Sequence, residues 1–222
     1  MNDSLREILI ADLPPAFVTR FQEAATWAYR EAWERVKNDT LINDDGRQQL
    51  LPHLRRVLLE AKLKDIALDS GVTAESEAVS SGAHKYVAVR VGRLVMTCSK
   101  TTGRNAVPRS CDFRDQYSDI NEHIDQQSLF PVISTPGSES LYCIIIHGPA
   151  AQNNGDLGFC CFGFPSPDMQ KWAQEPIALA DIRDYQQTRY QKSEDDRAQI
   201  QPVEPKLKPK FGAGDDAAEE SA

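Results

Sequence analysis

The spacing of apolar residues changes from a helical period to a strand period after the first third of this chain, and that change limits what it can fold into. From Leu13 to about Asp69 the period is helical. Pro14 and Pro15 open a segment in which Phe17, Phe21, Ala24, Ala25, Ala28, Ala32 and Val36 recur at steps of three and four, which lines one face of a helix. "NDDG", from Asn43 to Gly46, interrupts it. Leu50, Leu51, Leu54, Val57, Leu58 and Ala61 restart the same period, and Gly71 ends it. Two amphipathic helices joined by a short polar turn form an antiparallel hairpin. Each has one apolar face, so the pair needs something else to pack against.

"GVTAESEAVSSGAHK", Gly71 to Lys85, reads as a polar connector. After it the period becomes two. Tyr86, Ala88 and Arg90 alternate with Val87, Val89 and Val91, and Gly92-Arg93 turns the chain into "LVMTCSK"; the pattern is that of a β-hairpin. A helix is predicted over Arg109–Gln127, with Phe113, Tyr117, Ile120 and Ile124 as its apolar stripe. "LYCIIIHGP" and "LGFCCFGF" are strand-sized runs rich in β-branched and aromatic residues, separated by a polar loop, so they are predicted to be neighbouring strands. "PSPDMQKWA" begins with helix-start chemistry at Ser166 or Asp168. Beyond Asp184 large apolar residues nearly vanish. That stretch predicts a disordered charged tail over 184–222, with room for a short helix at its start.

The expected fold is α+β: an N-terminal helical hairpin packed on a small, mainly antiparallel sheet of four strands, with flanking helices. Its regions are an N-terminal helical part (1–70), the connector (71–85), an α+β part (86–183) and the tail (184–222). Apolar residues at 41% and charged residues at 26% of 222 are ordinary globular values. A net charge of −8 argues against a general binder of nucleic acid or anionic membranes. No apolar run approaches the roughly 20 residues that span a bilayer, and "MNDSLREILIADLPP" carries acids where a signal peptide needs cations. A cytoplasmic protein with no membrane partner is expected. The five cysteines are odd in number and irregularly spaced, unlike a disulfide framework.

Candidate chemistry gathers in the two apolar runs. Cys143 and His147 lie four apart on one predicted strand, and Cys160 and Cys161 lie on the next. Structural zinc sites bring ligands in close pairs such as C-x2-C. None occurs, and adjacent strand cysteines point to opposite faces, so no metal and no cofactor is expected. Buried strand cysteines are the simpler reading. His147, at the mouth of its strand before Gly148-Pro149, is the candidate catalytic residue, with Ser134, Ser138, Ser140 or a cysteine as nucleophile. No G-x-S-x-G elbow supports it, and a locally hydrogen-bonded histidine is the alternative. His53, His84 and His123 lack ligand spacing. The row Asp112, Asp115, Asp119 and Glu122 could suit a two-metal nuclease, or be the solvated face of its helix.

One charge feature stands apart. Between Glu77 and Asp112 there is no acid, while Lys85, Arg90, Arg93, Lys100, Arg104 and Arg109 are all present. Such a segregated patch could face a partner, a phosphate or a nucleic-acid backbone, or pair with the protein's own acids. Trp27 falls outside the apolar arc of its helix and is a candidate contact residue.

The runs "LYCIIIHGPAAQNNGDLGFCCFGFPSPD", "LPHLRRVLLEAKL" and "DFRDQYSDINEHIDQQSLF" together resemble small uncharacterised bacterial proteins of toxin–antitoxin-like or phage-defence gene pairs. The resemblance contains no named motif and implies a context, a cytosolic protein whose partner is another protein. The leading expectation is a non-enzymatic protein-interaction or regulatory module. The alternatives are a hydrolase or nuclease with its site near His147, and a nucleic-acid-binding module using the 85–109 segment.

Overall fold

Three helices lead the chain, and the chemistry at their ends explains their limits. A computed structural model describes residues 2–79, 85–122, 124 and 140–199. Within it α1 spans Asn2–Asp12, α2 Pro15–Lys37 and α3 Asp44–Asp69. Pro15 begins α2, where its missing N–H has no intrahelical role. Asn43 caps α3, its Oδ1 accepting from the Gly46 N–H at 2.8 Å, and Asp44 and Asp45 face the positive end of the helix dipole. Gly71, at φ +71°, turns the chain out of α3.

The strands are β1 Thr73–Ala78, β2 Lys85–Val91, β3 Leu94–Lys100, β4 Leu141–Pro149, β5 Leu157–Gly163 and β6 Ile177–Ala178. They form one six-stranded sheet in sequence order, antiparallel at every pairing except the parallel β3–β4 pair. The protein is therefore α+β, with N-terminal helices preceding a mixed sheet, and its described residues form six strands where four were expected. The extra strands escaped the pattern for different reasons. The N-terminal half of the expected connector is β1, an edge strand whose only buried side chain is Ala74, so it carries almost no apolar signal. β6 has two residues.

β4 is central and buried along nearly its whole length, which is why it reads as a continuous apolar run without alternation. Leu141, Cys143 and Ile145 face a core shared with Phe17, Phe21, Ala25, Tyr29, Leu59 and Leu63 of the helical hairpin. Tyr142, Ile144 and Ile146 face a second, smaller core with Cys161 and Met169, against which Val107, Tyr117 and Trp172 pack. Helices thus cover one face of the sheet, while the other lies under α4 (Asp112–Ser118), a 3-10 turn (Asp119–Asn121) and loops. Asn121 ties that turn to β4. Its amide donates to the Tyr142 and Pro165 carbonyls and accepts from the Tyr142 N–H, all within 2.9 Å.

Three further expectations need correction. The helix predicted over Arg109–Gln127 is α4 followed by the 3-10 turn; residue 123 and residues 125–127 lie outside the described residues. "PSPDMQKWA" starts no helix. The Ser166 hydroxyl bonds the Lys171 carbonyl, Asp168 accepts from the Gln170 N–H, and Met169 sits at φ 55°, so the segment closes on itself as a turn. The predicted tail begins inside α5, Leu179–Gln199. Its first turns are held by buried Leu179 and Ile182, and by Gln186, whose amide donates to the Leu13 carbonyl at 2.8 Å. Residues 200–222 lie outside the described residues. No helix among the described residues is long and apolar enough to cross a membrane.

Candidate functional site

Lys100 and His147 are register partners at the ends of the parallel β3–β4 pair. Both open into a cavity of about 340 Å³ roofed by α3. One face of α3, over about two and a half turns, supplies Pro52, His53, Arg56, Leu59 and Glu60; the sheet supplies Lys85, Tyr86, Cys98, Ser99, Lys100 and His147, with Val79 just after β1; α4 supplies Phe113 and Arg114. Four cations, Arg56, Lys85, Lys100 and Arg114, therefore meet a single carboxylate, Glu60. Burial raises the Glu60 pKa, opposed by the nearby Arg56 and Arg114 guanidiniums. Arg114 donates to Ser99 Oγ at 3.1 Å and to the Arg109 carbonyl at 2.8 Å. Arg56, Lys85, Lys100 and Arg114 form no ion pair within 4.0 Å among the described residues.

The β1–β2 edge and α4 are locked together beside this cavity. Glu77 accepts from Tyr86 Oη at 2.6 Å, from Tyr117 Oη at 2.8 Å and from Arg90 Nη2 at 2.9 Å. Burial raises the Glu77 pKa, but these three donors outweigh it and hold the carboxyl below its usual range. With its hydroxyl fixed, the Tyr86 ring stacks on Phe113 at a centroid distance of 3.8 Å, and the Arg114 guanidinium lies over Phe113 at 5.0 Å. The cavity therefore has one rigid aromatic wall.

Behind the cavity lies a buried polar chain. His147 is 2% exposed, and its Nδ1 is 2.7 Å from the Tyr29 hydroxyl. Tyr29 is fully buried, and the Arg55 guanidinium sits 4.3 Å above its ring. Arg55, itself 2% exposed, donates to the Asn154 carbonyl, and no carboxylate within 4.0 Å neutralises it among the described residues. Burial, then the charges of Arg55 and Lys100, pull His147 down to about 3. The imidazole is neutral at physiological pH. A hydroxyl donating to Nδ1 then leaves the proton on Nε2.

No thiol here is prepared for nucleophilic attack. Cys143, Cys160 and Cys161 are buried, and burial pushes all three thiols up, as it does Cys98 in the cavity wall. Cys160 pairs in register with His147 and faces the helical core, while Cys161 faces the other core. The opposite facing of adjacent strand cysteines follows from the pleat. Ser140 is exposed at the entry to β4; Ser134, Ser138, His84 and His123 lie outside the described residues. Among the described residues no group of three or more His, Cys, Asp or Glu side chains could hold a metal ion. In the acidic row, Asp115 accepts from the Ser110 hydroxyl, and Asp112, Asp119 and Glu122 are exposed.

The six cations of the 85–109 segment divide. Lys85 and Lys100 line the cavity. Arg90 pairs with Glu77, and Arg93 makes a two-pronged pair with Asp12 at 2.9 and 3.0 Å. Arg104 donates to the Pro176 carbonyl at 3.0 Å, and Arg109 is exposed. Trp27 is 40% exposed on the far side of α3 from the cavity, with Lys62 Nζ 5.3 Å from its ring centroid. Sequence reasoning missed Tyr29, Arg55, Arg56, Glu60 and Arg114. Two of them left a signal: Arg55 falls at the four-residue step between Leu51 and Leu59, a cation on the apolar arc of its helix, and Tyr29 continues the step of Phe21 and Ala25.

No family model matches this chain, and no curated protein or solved structure matches it either.

Proposed function

We propose that the protein is a non-enzymatic regulatory module that holds an anionic ligand in the cavity beneath α3. One observation carries this reading: four cations converge there on one carboxylate, in a chain whose net charge is −8. Low-dielectric walls strengthen the field of such a cluster and favour a bound anion. The same walls keep His147 neutral and the thiols protonated, which suits recognition better than bond cleavage.

α3 also offers a route to a partner. Its outward side carries Leu50, Val57 and Leu68, exposed at 42%, 56% and 57%. By the helical count these lie opposite the buried arc of Leu51, Leu59 and Leu63 and beside the face that roofs the cavity. A ligand under α3 would therefore act on the helix that meets a partner protein. The resemblance to proteins of bacterial gene pairs supplies the context for such a partner.

The test is calorimetric titration of the full chain with phosphate, sulfate and citrate at low ionic strength, with the recovered ligand assayed for turnover. Saturable binding with the ligand recovered intact supports the module. Turnover abolished by His147→Gln would replace it with the hydrolase reading. Absence of binding by every anion would remove it.

A further inference from the structure

Cavity size and the kinds of side chain in its wall narrow the ligand. Its volume of about 340 Å³ far exceeds what an inorganic anion fills, given that a water molecule occupies about 30 Å³ in the liquid. It lies at the lower end of the range typical of small organic ligands. The charge balance is +4 from the cations and −1 from Glu60, a net +3 that exceeds what one carboxylate would neutralise. A phosphomonoester brings close to two negative charges and three acceptor oxygens. The donors to meet it are in place. Arg56 Nε and Arg114 Nε are buried without a hydrogen-bond partner among the described residues. Arginine forks match phosphate geometry in a way that lysine point charges do not. Beside Arg114, whose guanidinium lies over Phe113, the Tyr86–Phe113 pair, fixed through Glu77, presents aromatic surface to the same space.

We infer that the cavity binds a small phosphorylated aromatic molecule of mononucleotide size, its phosphate on Arg56, Lys100 and Arg114 and its ring system against Tyr86 and Phe113. This rests on the anion-binding reading above and specifies its ligand. Lys85, at the mouth, adds to the attractive field. The buried charge of Arg55 reaches both Lys100 and His147, and so raises the potential at the floor without touching the ligand.

The test uses the full chain and four probes: adenosine monophosphate, adenosine, inorganic phosphate and a terminally phosphorylated oligonucleotide, by calorimetry at low ionic strength. Adenosine monophosphate should bind at least tenfold more tightly than phosphate, and adenosine should not bind. Lys100→Gln should weaken adenosine monophosphate and phosphate alike, by roughly tenfold for a lost charge-assisted contact. Tyr86→Ala should bring adenosine monophosphate down to the level of phosphate while leaving phosphate unchanged. Lys100 is exposed and makes no ion pair among the described residues, so its variant reports on binding even if Tyr86→Ala fails to fold. Phosphate binding with no gain for adenosine monophosphate would overturn the aromatic assignment and leave the anion reading standing. Tighter binding of the oligonucleotide would overturn the small-molecule assignment. Binding of none of the probes, nor of sulfate or citrate, would remove both.

Discussion

Arg55 is buried to 2% exposure with a carbonyl and an aromatic face as its partners, although solvation of an uncompensated guanidinium is costly to give up. Its side chain is justified by its field more than by packing. Arg55→Met is accordingly expected to change unfolding free energy by less than about 1 kcal/mol, because removing an unneutralised buried charge offsets the lost contacts. The same variant should weaken anion binding several-fold; chemical denaturation and titration of one preparation test both halves. His147 gives the pH prediction. Its folded pKa is drawn from 6.5 to about 3, so between those values the unfolded chain binds the proton that the folded chain refuses. Stability from this group is complete above about pH 6.5 and declines as pH falls, by at most ~1.4 kcal/mol per pH unit. His147→Gln, which can still accept from Tyr29, should flatten the acid limb between pH 6 and pH 4 in about equal measure. Glu60→Gln should tighten phosphate binding near neutral pH by removing the one opposing charge. The gap from wild type should close at lower pH, because burial raises the pKa at which Glu60 itself protonates.

Between elements, Asp12 and Arg93 clamp the end of α1 to the β2–β3 turn. Asp12 Oδ2 accepts from both the Arg93 backbone N–H and its Nε, and Oδ1 accepts from Nη2. Gly92 is required there: it sits at φ +52°, and a Cβ would lie 2.7 Å from the Asp12 carboxyl carbon. Burial raises the Asp12 pKa, and the Arg93 hydrogen bonds more than reverse that, so the folded value lies below 3.8. The clamp is therefore intact above about pH 4 and is lost as pH falls through the folded pKa. Asp12→Ala should cost about 1–2 kcal/mol at neutral pH in thermal or denaturant unfolding, after allowing for solvent screening of the half-exposed arginine. A second element depends on the irregular end of the β4–β5 pair, where the register shifts between Gly148 and Pro149. A Cβ on Gly158 would stand 2.5 Å from the Pro149 carbonyl oxygen, a backbone atom that cannot rotate away. Gly158→Ala should destabilise by roughly 1–3 kcal/mol and loosen the loop that holds Asn154 on Arg55.

At the scale of the molecule, a chain of net charge −8 carries a cavity lined by four cations, and ionic strength tests that contrast. Phosphate should raise the melting temperature at low salt and lose much of that effect near 0.15 M, where the screening length is about 8 Å. A salt-independent shift would mean that the ligand sits elsewhere than among exposed and half-exposed cations. The hairpin of α2 and α3, the β2–β3 turn and the buried β4–β5 strands were all legible in the sequence, because each is specified by neighbours a few residues apart: a period, a cap, a turn glycine. The outward position of Trp27 and the opposite facing of Cys160 and Cys161 follow from the same short-range geometry. β1, β6 and the docking of α5 were not legible, since their few apolar residues gain meaning only against surfaces supplied by distant chain. The site was less legible still. Lys85, Lys100 and His147 stood out as residue types, but Arg56 and Glu60 come from a helix some forty residues upstream of Lys100, and Arg114 comes from beyond it. By itself the sequence determined the α2–α3 hairpin, the β2–β3 and β4–β5 strands, their buried faces and a local excess of cations. Only the tertiary structure decided which of those cations are neutralised, as Arg90 and Arg93 are, and which converge unpaired on one cavity. The physical reason is that charge pairing depends on distance in space, which no pattern along the chain encodes.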